Sequence, residues 1–182
     1  MKKYYELILD GNDKIGGSLY APPQWPYPIS RDGIEVKNWK SLILELKNGD
    51  YCPFHTCNKG ANLVSKELKD LLESFLDNNH EIDFFPVQVT SAQYGDRVYY
   101  IMHFRKIYDV ADRKNSIYAS SGREVSDITI LRLDPEKVKD LKVFNSSSAI
   151  NSVFVTSEIR KAIKKAGLEK GAYFVPIYCS ES

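Results

Sequence analysis

The chain has 182 residues, 25 Lys and Arg against 24 Asp and Glu, a formal net charge of +1 and an aromatic content of 12%. So even a balance excludes polyanion binding driven by bulk charge, though not through a local basic patch. At this length one domain, of two lobes at most, buries roughly 70% of its extended-chain surface and needs no staple. Cys52, Cys57 and Cys179 are an odd number in a mid-sized chain, which points to a reducing compartment and not to a disulfide framework. Glu6 and Asp10 interrupt any apolar stretch behind Lys2 and Lys3, so the N-terminus does not read as a signal peptide. No apolar run approaches the ~20 residues that span a bilayer. These features predict a soluble, cytoplasmic protein.

In chain order, Tyr4 to Asp10 reads as a first strand, with turn signals at Asp10–Asp13 and Gly16-Gly17. The segment Tyr20-Ala21-Pro22-Pro23-Gln24-Trp25-Pro26-Tyr27-Pro28 holds four prolines in seven residues, which excludes helix and central strand. It reads as an extended aromatic loop strapped over the core, or as a partner contact, since Trp and Tyr dominate binding hot spots. Ser41 to Leu46 is a predicted strand. The run Cys52-Pro53-Phe54-His55-Thr56-Cys57 has two thiols and an imidazole, but no second local ligand cluster completes a zinc site. Cys179, His80 and His103 are all distant in sequence, so buried thiols and a loop histidine are expected, with no metal or other cofactor.

Leu68, Leu71, Leu72, Phe75 and Leu76 recur at helical spacing behind Ser65, a good N-cap, and Asp77–His80 makes a turn. Ile82 to Thr90 is a strand with apolar residues on both faces, and Pro86 within it implies a bulge or an edge. Val98 to Lys106 follows, placing His103 on its less apolar face as a sheet histidine. Asp109 and Asp112, with Arg113 and Lys114 beside them, form a salt-bridged turn or a carboxylate pair able to hold metal or do acid–base work. Gly122-Arg123-Glu124 is a turn and Asp127 to Leu133 a strand. Asp134-Pro135-Glu136 starts a short helix that ends near Leu141. Lys142 to Phe144 is extended and Asn145 to Ser148 a loop.

The pattern of the first helix then returns. Val64-Ser65-x-Glu67-Leu68 lies over Val155-Thr156-x-Glu158-Ile159, and Phe84-Phe85-Pro86-Val87 over Phe174-Val175-Pro176-Ile177. Ser65 to Pro86 is 21 positions, and Thr156 to Pro176 is 20. The second helix carries Ile159, Ala162, Ile163 and Ala166, and Gly167-Leu168 fits a Schellman ending. The fold predicted is α+β: a mixed or antiparallel sheet with two main helices, at 65–76 and 157–166, from a duplicated helix–strand unit. Two helices cannot cover both faces of a large sheet, so one face should be partly open or strapped by the proline-rich loop. Arg160, Lys161, Lys164 and Lys165 make a polar helix face, solvated or open to phosphate.

No phosphate loop, nucleophile elbow, HExxH motif or CxxC pair is present, so nothing assembles catalysis locally. Three functions stay open on the residues alone. They are an inhibitor acting as a binding module, a small enzyme using Asp109, Asp112 or His103, and a nucleic-acid accessory protein using the Arg160–Lys165 face.

Val64-Ser65-x-Glu67-Leu68, Phe84-Phe85-Pro86-Val87, Asp109-x-x-Asp112-x-x-x-Ser116, Leu131, Phe144, Phe154-Val155-Thr156-x-Glu158-Ile159 and Gly171-x-x-Phe174-x-Pro176 come in an order that resembles bacterial polymorphic-toxin immunity proteins, of the type numbered eleven or forty-three. The resemblance covers roughly residues 61–178, leaving 1–60 as a less diagnostic N-terminal lobe of one domain. It implies a cytoplasmic protein of interbacterial competition that binds and neutralises a cognate toxin domain, with no enzymatic activity and no cofactor. Neither membrane nor nucleic acid is an expected partner. Candidate partner-binding residues are Tyr20, Trp25 and Tyr27 on the proline-rich loop, with Asp109, Asp112 and Arg113.

Overall fold

The computed structural model describes residues 3–10, 19–23, 25, 35–76, 81–118 and 128–180. The turns expected at 11–17, 77–80 and 122–124 lie outside them. The elements run β1 (Tyr4–Leu9), β2 (Leu19–Tyr20), β3 (Ile43–Leu46), β4 (Phe54–Thr56), β5 (Asn62–Val64), α1 (Lys66–Glu73), β6 (Ile82–Thr90) and β7 (Arg97–Phe104). They continue with β8 (Ile117–Tyr118), β9 (Ile128–Ile130), β10 (Arg132–Leu133), α2 (Pro135–Val138), β11 (Val143–Ser146), β12 (Ala149–Thr156), α3 (Ser157–Lys165) and β13 (Ala172–Cys179).

The strands form not one sheet but two mixed ones, ordered β2-β3-β6-β7-β5-β4 and β10-β13-β1-β12-β11, with β8 and β9 as a separate ribbon. The α+β class holds, and there are three described helices instead of two main ones. Strand for strand, β3-β6-β7-β5-β4 and β10-β13-β1-β12-β11 have the same relative directions. The first pair is parallel in both, and every later pair is antiparallel. Each of the two longer helices links two parallel strands that flank an antiparallel one: α1 joins β5 to β6 around β7, and α3 joins β12 to β13 around β1. In the five-stranded sheet that middle strand comes from the N-terminus. Pro86 faces Tyr100 across one sheet and Pro176 faces Tyr5 across the other. Lys69 sits over the rings of Phe84 and Tyr100 at 5.6 and 5.3 Å, and Arg160 sits over Phe174 and Tyr5 at 5.8 and 4.4 Å.

Local chemistry sets the helix limits. The Ser65 hydroxyl accepts from the Leu68 N–H at 3.3 Å and the Thr156 hydroxyl from the Ile159 N–H at 3.5 Å, each meeting an orphan donor of the first turn. Glu67 and Glu158 stand in those first turns, where the helix dipole favours a carboxylate. α3 closes as a Schellman motif: Leu168 N–H donates to Ile163 and Gly167 N–H to Lys164, with Gly167 at φ 69°. α1 ends earlier than its apolar spacing predicts, at Glu73. Phe75 and Leu76 N–H groups turn back to Leu72 and Glu73 in a tighter turn, yet both side chains still pack on the core.

That core lies between the sheets. Leu68 and Leu72 of α1 and Ile159 and Ile163 of α3 share it with Val64 and Met102 of one sheet and Leu7, Val153 and Val155 of the other. The alternation along β7 divides its side chains as its pattern predicts: Tyr100, Met102 and Phe104 face this core, while Tyr99 and Ile101 face a second cluster. Ala21, Trp25 and Trp39 pack on the second cluster, on the outer face of the six-stranded sheet, while residues 24 and 26–28 of the proline-rich loop lie outside the described residues. A third cluster, of Tyr4, Phe144, Phe154, Val110, Leu133 and Val138, lies on the outer face of the five-stranded sheet. The strands β4 and β5 were not apparent from sequence, because each has only three residues and both carry buried polar side chains, His55 and Asn62. Asn145 and Ser146 belong to β11 and not to a loop, and β12 starts at Ala149.

Leu72 is fully buried where α1 meets the shared core. Leu72→Ala is expected to lower stability by ~2–5 kcal/mol through lost transfer energy and cavity formation. Ser65→Ala should cost ~1 kcal/mol through the lost cap. Denaturant midpoints with unchanged slopes check both values.

Candidate partner-binding surface

The Cys52–Cys57 run is built into the core. His55 lies fully buried, and its Nε2 accepts the Cys52 N–H at 2.9 Å, which places the ring proton on Nδ1. The Tyr99 ring meets it edge-on at 5.4 Å, and the Tyr99 hydroxyl donates to the Cys52 carbonyl at 2.7 Å. Burial pushes the Cys52 and Cys57 thiols up, so with no metal bound both are held as thiols. Cys179 is on β13 and His103 is buried on β7 beside the Phe85 ring, while His80 lies outside the described residues. Among the described residues no group of three His, Cys, Asp or Glu is placed to hold a metal ion.

The Asp109–Ser116 segment is a turn fixed by its own carboxylates. Asp112 Oδ1 accepts from the N–H groups of Lys114 and Asn115 at 3.0 and 3.2 Å, and Oδ2 from the Asn115 amide at 2.7 Å. The neighbouring Ser180 hydroxyl, the Asn115 amide and the N–H groups of Asn115 and Lys114 hold the Asp112 carboxyl down to about 2. Asp109 pairs with Arg113 at 3.1 Å and with Lys137 at 3.7 Å. The turn is pinned to β10: the Asp112 N–H donates to the Arg132 carbonyl at 2.8 Å, and Ser116 Oγ accepts from the Arg132 N–H at 3.1 Å. Asp109 and Asp112 therefore serve a salt-bridged turn and not a carboxylate pair that shares a ligand.

The six partner-binding candidates do not gather in one place. Tyr20 is on β2 at the edge of the six-stranded sheet, with the Lys47 ammonium 4.4 Å from its ring centre. Trp25 is half-buried in the strap over that sheet, and Tyr27 lies outside the described residues. Asp109, Asp112 and Arg113 stand instead beside β10 of the five-stranded sheet. On α3, Lys161, Lys164 and Lys165 are exposed, but Arg160 lies over Tyr5 and Phe174 and leaves the solvated face.

Sequence patterning did not single out a groove on the outer face of the five-stranded sheet. It measures about 460 Å³ and runs between β13 and the chain at 128–132. Glu6, Phe154, Val175 and Ile177 form its floor, and Ile130 and Arg132 its opposite wall. Glu6 accepts a hydrogen bond from the Ser152 hydroxyl, and no described cation pairs with it. Ile130, Val175 and Tyr178 are 46%, 40% and 61% exposed, and Ile8 and Tyr173, cross-strand partners, extend the apolar rim. The signal was present in the alternation of Tyr4, Glu6 and Ile8: one carboxylate on an otherwise apolar strand face.

The chain matches the immunity protein family designated Imm11 over residues 21–178, and it belongs to that family. The family is one of toxin-neutralising immunity proteins, as the sequence resemblance implied. No curated protein matches the chain. Among the described residues no helix is long and apolar enough to cross a membrane.

The Asp112 bonds form to the ionised carboxylate, whose ordinary value is 3.8. Their contribution is complete above about pH 4 and is lost as pH falls toward 2. Asp112→Ala is expected to lower the urea midpoint at pH 7, with the difference from the parent narrowing at pH 2. An equal difference at both pH values would refute that role.

Proposed function

We propose that this protein is an immunity protein that neutralises a cognate bacterial toxin domain by forming a stoichiometric complex in the cytoplasm. Membership of the family over most of the chain carries this reading. What the candidate catalytic groups do supports it: Asp112 fixes a turn, Asp109 is ion-paired, and His103 packs in a sheet. Catalysis needs such groups held toward a shared reacting atom. Binding needs a rigid surface, which two sheets joined through one core provide.

The two sheets are best understood as one helix–strand unit used twice within a single domain, and the matching strand directions support that origin. For the contact itself we assign the five-stranded side, where Asp109, Asp112 and Arg113 sit at the edge of β10. Tyr20 and Trp25 make up an alternative contact on the other sheet, and Tyr27 is the third candidate of the same sequence segment. Toxin systems of the contact-dependent, polymorphic kind are the expected setting.

Titrating the chain against the toxin domain encoded beside it should give protection that saturates near an equimolar ratio. Protection at strongly substoichiometric amounts would mean turnover, and no protection at any ratio would remove the immunity function.

A further inference from the structure

The groove above β13 occupies a place that the other half of the molecule fills with its own chain. Through the two strand registers, Pro176 corresponds to Pro86, Val175 to Phe85 and Glu6 to Ile101. In the six-stranded sheet the segment before β3 closes this place. Trp39 stacks on Phe85 with ring centres 4.7 Å apart, and its Nε1–H donates to the Pro86 carbonyl at 2.9 Å. Ser41 Oγ donates to the same carbonyl at 3.3 Å, and Ile101 beneath is fully buried.

The corresponding segment before β10 pairs with β8 instead, so β13 is paired on its outer side only at Tyr178 and Cys179. The Asp10 N–H donates to the Gly171 carbonyl and the Ser180 N–H to the Leu133 carbonyl. Antiparallel alternation then turns the backbone groups of 173 and 175 toward β1 and those of 172, 174 and 176 toward the open edge. The Pro176 carbonyl thus faces outward as the Pro86 carbonyl does, and among the described residues no side chain donates to it. Where the other sheet has Ile101, this one has a carboxylate, Glu6, in a groove lined by Val175, Ile177, Ile130 and Arg132.

Resting on the immunity function above, we infer that this groove receives an arginine side chain carried on an extended segment of the toxin domain. The requirements are an apolar stem to lie along Ile130 and Val175 and N–H donors for both the Glu6 carboxylate and the Pro176 carbonyl. Arginine meets them together, because its planar guanidinium carries five donors and a permanent charge. A tryptophan, the occupant in the other sheet, satisfies the carbonyl but brings no charge to pair with Glu6. The extended segment would pair with the Phe174 N–H and C=O on the open edge. Pro176, with no N–H, limits that added strand to a short one.

The test is calorimetric titration of purified, folded variants with the toxin domain encoded beside this chain. Val175→Lys and Ile130→Lys replace half-exposed rim residues by like charge to the incoming arginine, and each should weaken Kd at least tenfold. Glu6→Gln keeps an acceptor for Ser152 and should weaken Kd about tenfold while flattening its salt dependence. Ile43→Ala, an exposed substitution on β3 of the other sheet, should stay within twofold of the parent. Groove variants within twofold of a parent that binds would overturn the groove assignment alone. A tenfold loss at Val175 and Ile130 with Glu6→Gln unchanged would overturn the arginine. Failure of the parent chain itself to bind would overturn the immunity function, and this assignment with it.

Discussion

Leu68 and Leu72 on one helix, and Ile159 and Ile163 on another, are buried in a single cluster with side chains from both large sheets. Everything else in the molecule follows from that sharing. Each sheet has one face closed by the shared core, so each is left with one outer face to manage, and an uncovered apolar sheet face is a liability in water. The two helices also touch each other, so neither half can shed its helix without exposing the other's inner face. A scaffold of this kind holds surface strands in fixed register, which suits recognition by a preformed face.

The two outer faces are managed differently. The six-stranded sheet uses aromatic packing: Trp39 stacked on Phe85, Tyr51 stacked on Tyr99 at 5.8 Å, and Trp25 over the same cluster. The five-stranded sheet uses the long excursion through the Asp112 turn, β10 and α2, anchored where the Tyr4 hydroxyl donates to the Val138 carbonyl. Burial pushes that phenol up, so it remains a donor at physiological pH. The excursion covers the β12 side of the sheet at Phe144 and Phe154 but leaves the β13 side with Ile8, Tyr173 and Val175 exposed. Apolar side chains retained beside a carboxylate on an open sheet edge are what a partner would cover.

Much of this was legible in the sequence where one residue sets the geometry. Ser65 and Thr156 mark helix starts because a hydroxyl there meets an orphan N–H, and Gly167 marks a stop because only its backbone reaches positive φ without strain. Pro86 implies a bulge or an edge because it cannot donate to a ladder, and although β6 lies inside its sheet, β3 pairs with it only from Gln88 onward. Less legible was anything decided by long-range pairing. The β1 strand, at the N-terminus, completes a sheet whose other strands all come after residue 131, and no local pattern announces that. The split into two sheets was missed for the same reason. So was the groove, whose floor joins Glu6 to Phe154 and Val175 across three strands. Trp25 and Asp112 were chosen as contacts by residue type, yet a half-buried tryptophan and a turn-fixing aspartate have structural work that type alone does not reveal.

The central claim is that recognition lies on the open β13 edge of a rigid two-sheet scaffold. Backbone hydrogen exchange of the equimolar complex with the toxin domain tests it most directly. Slowed exchange confined to residues 128–132 and 173–178, with 20–25 unchanged from the free protein, is the predicted result. Slowed exchange over 20–25 with none at the β13 edge would contradict it.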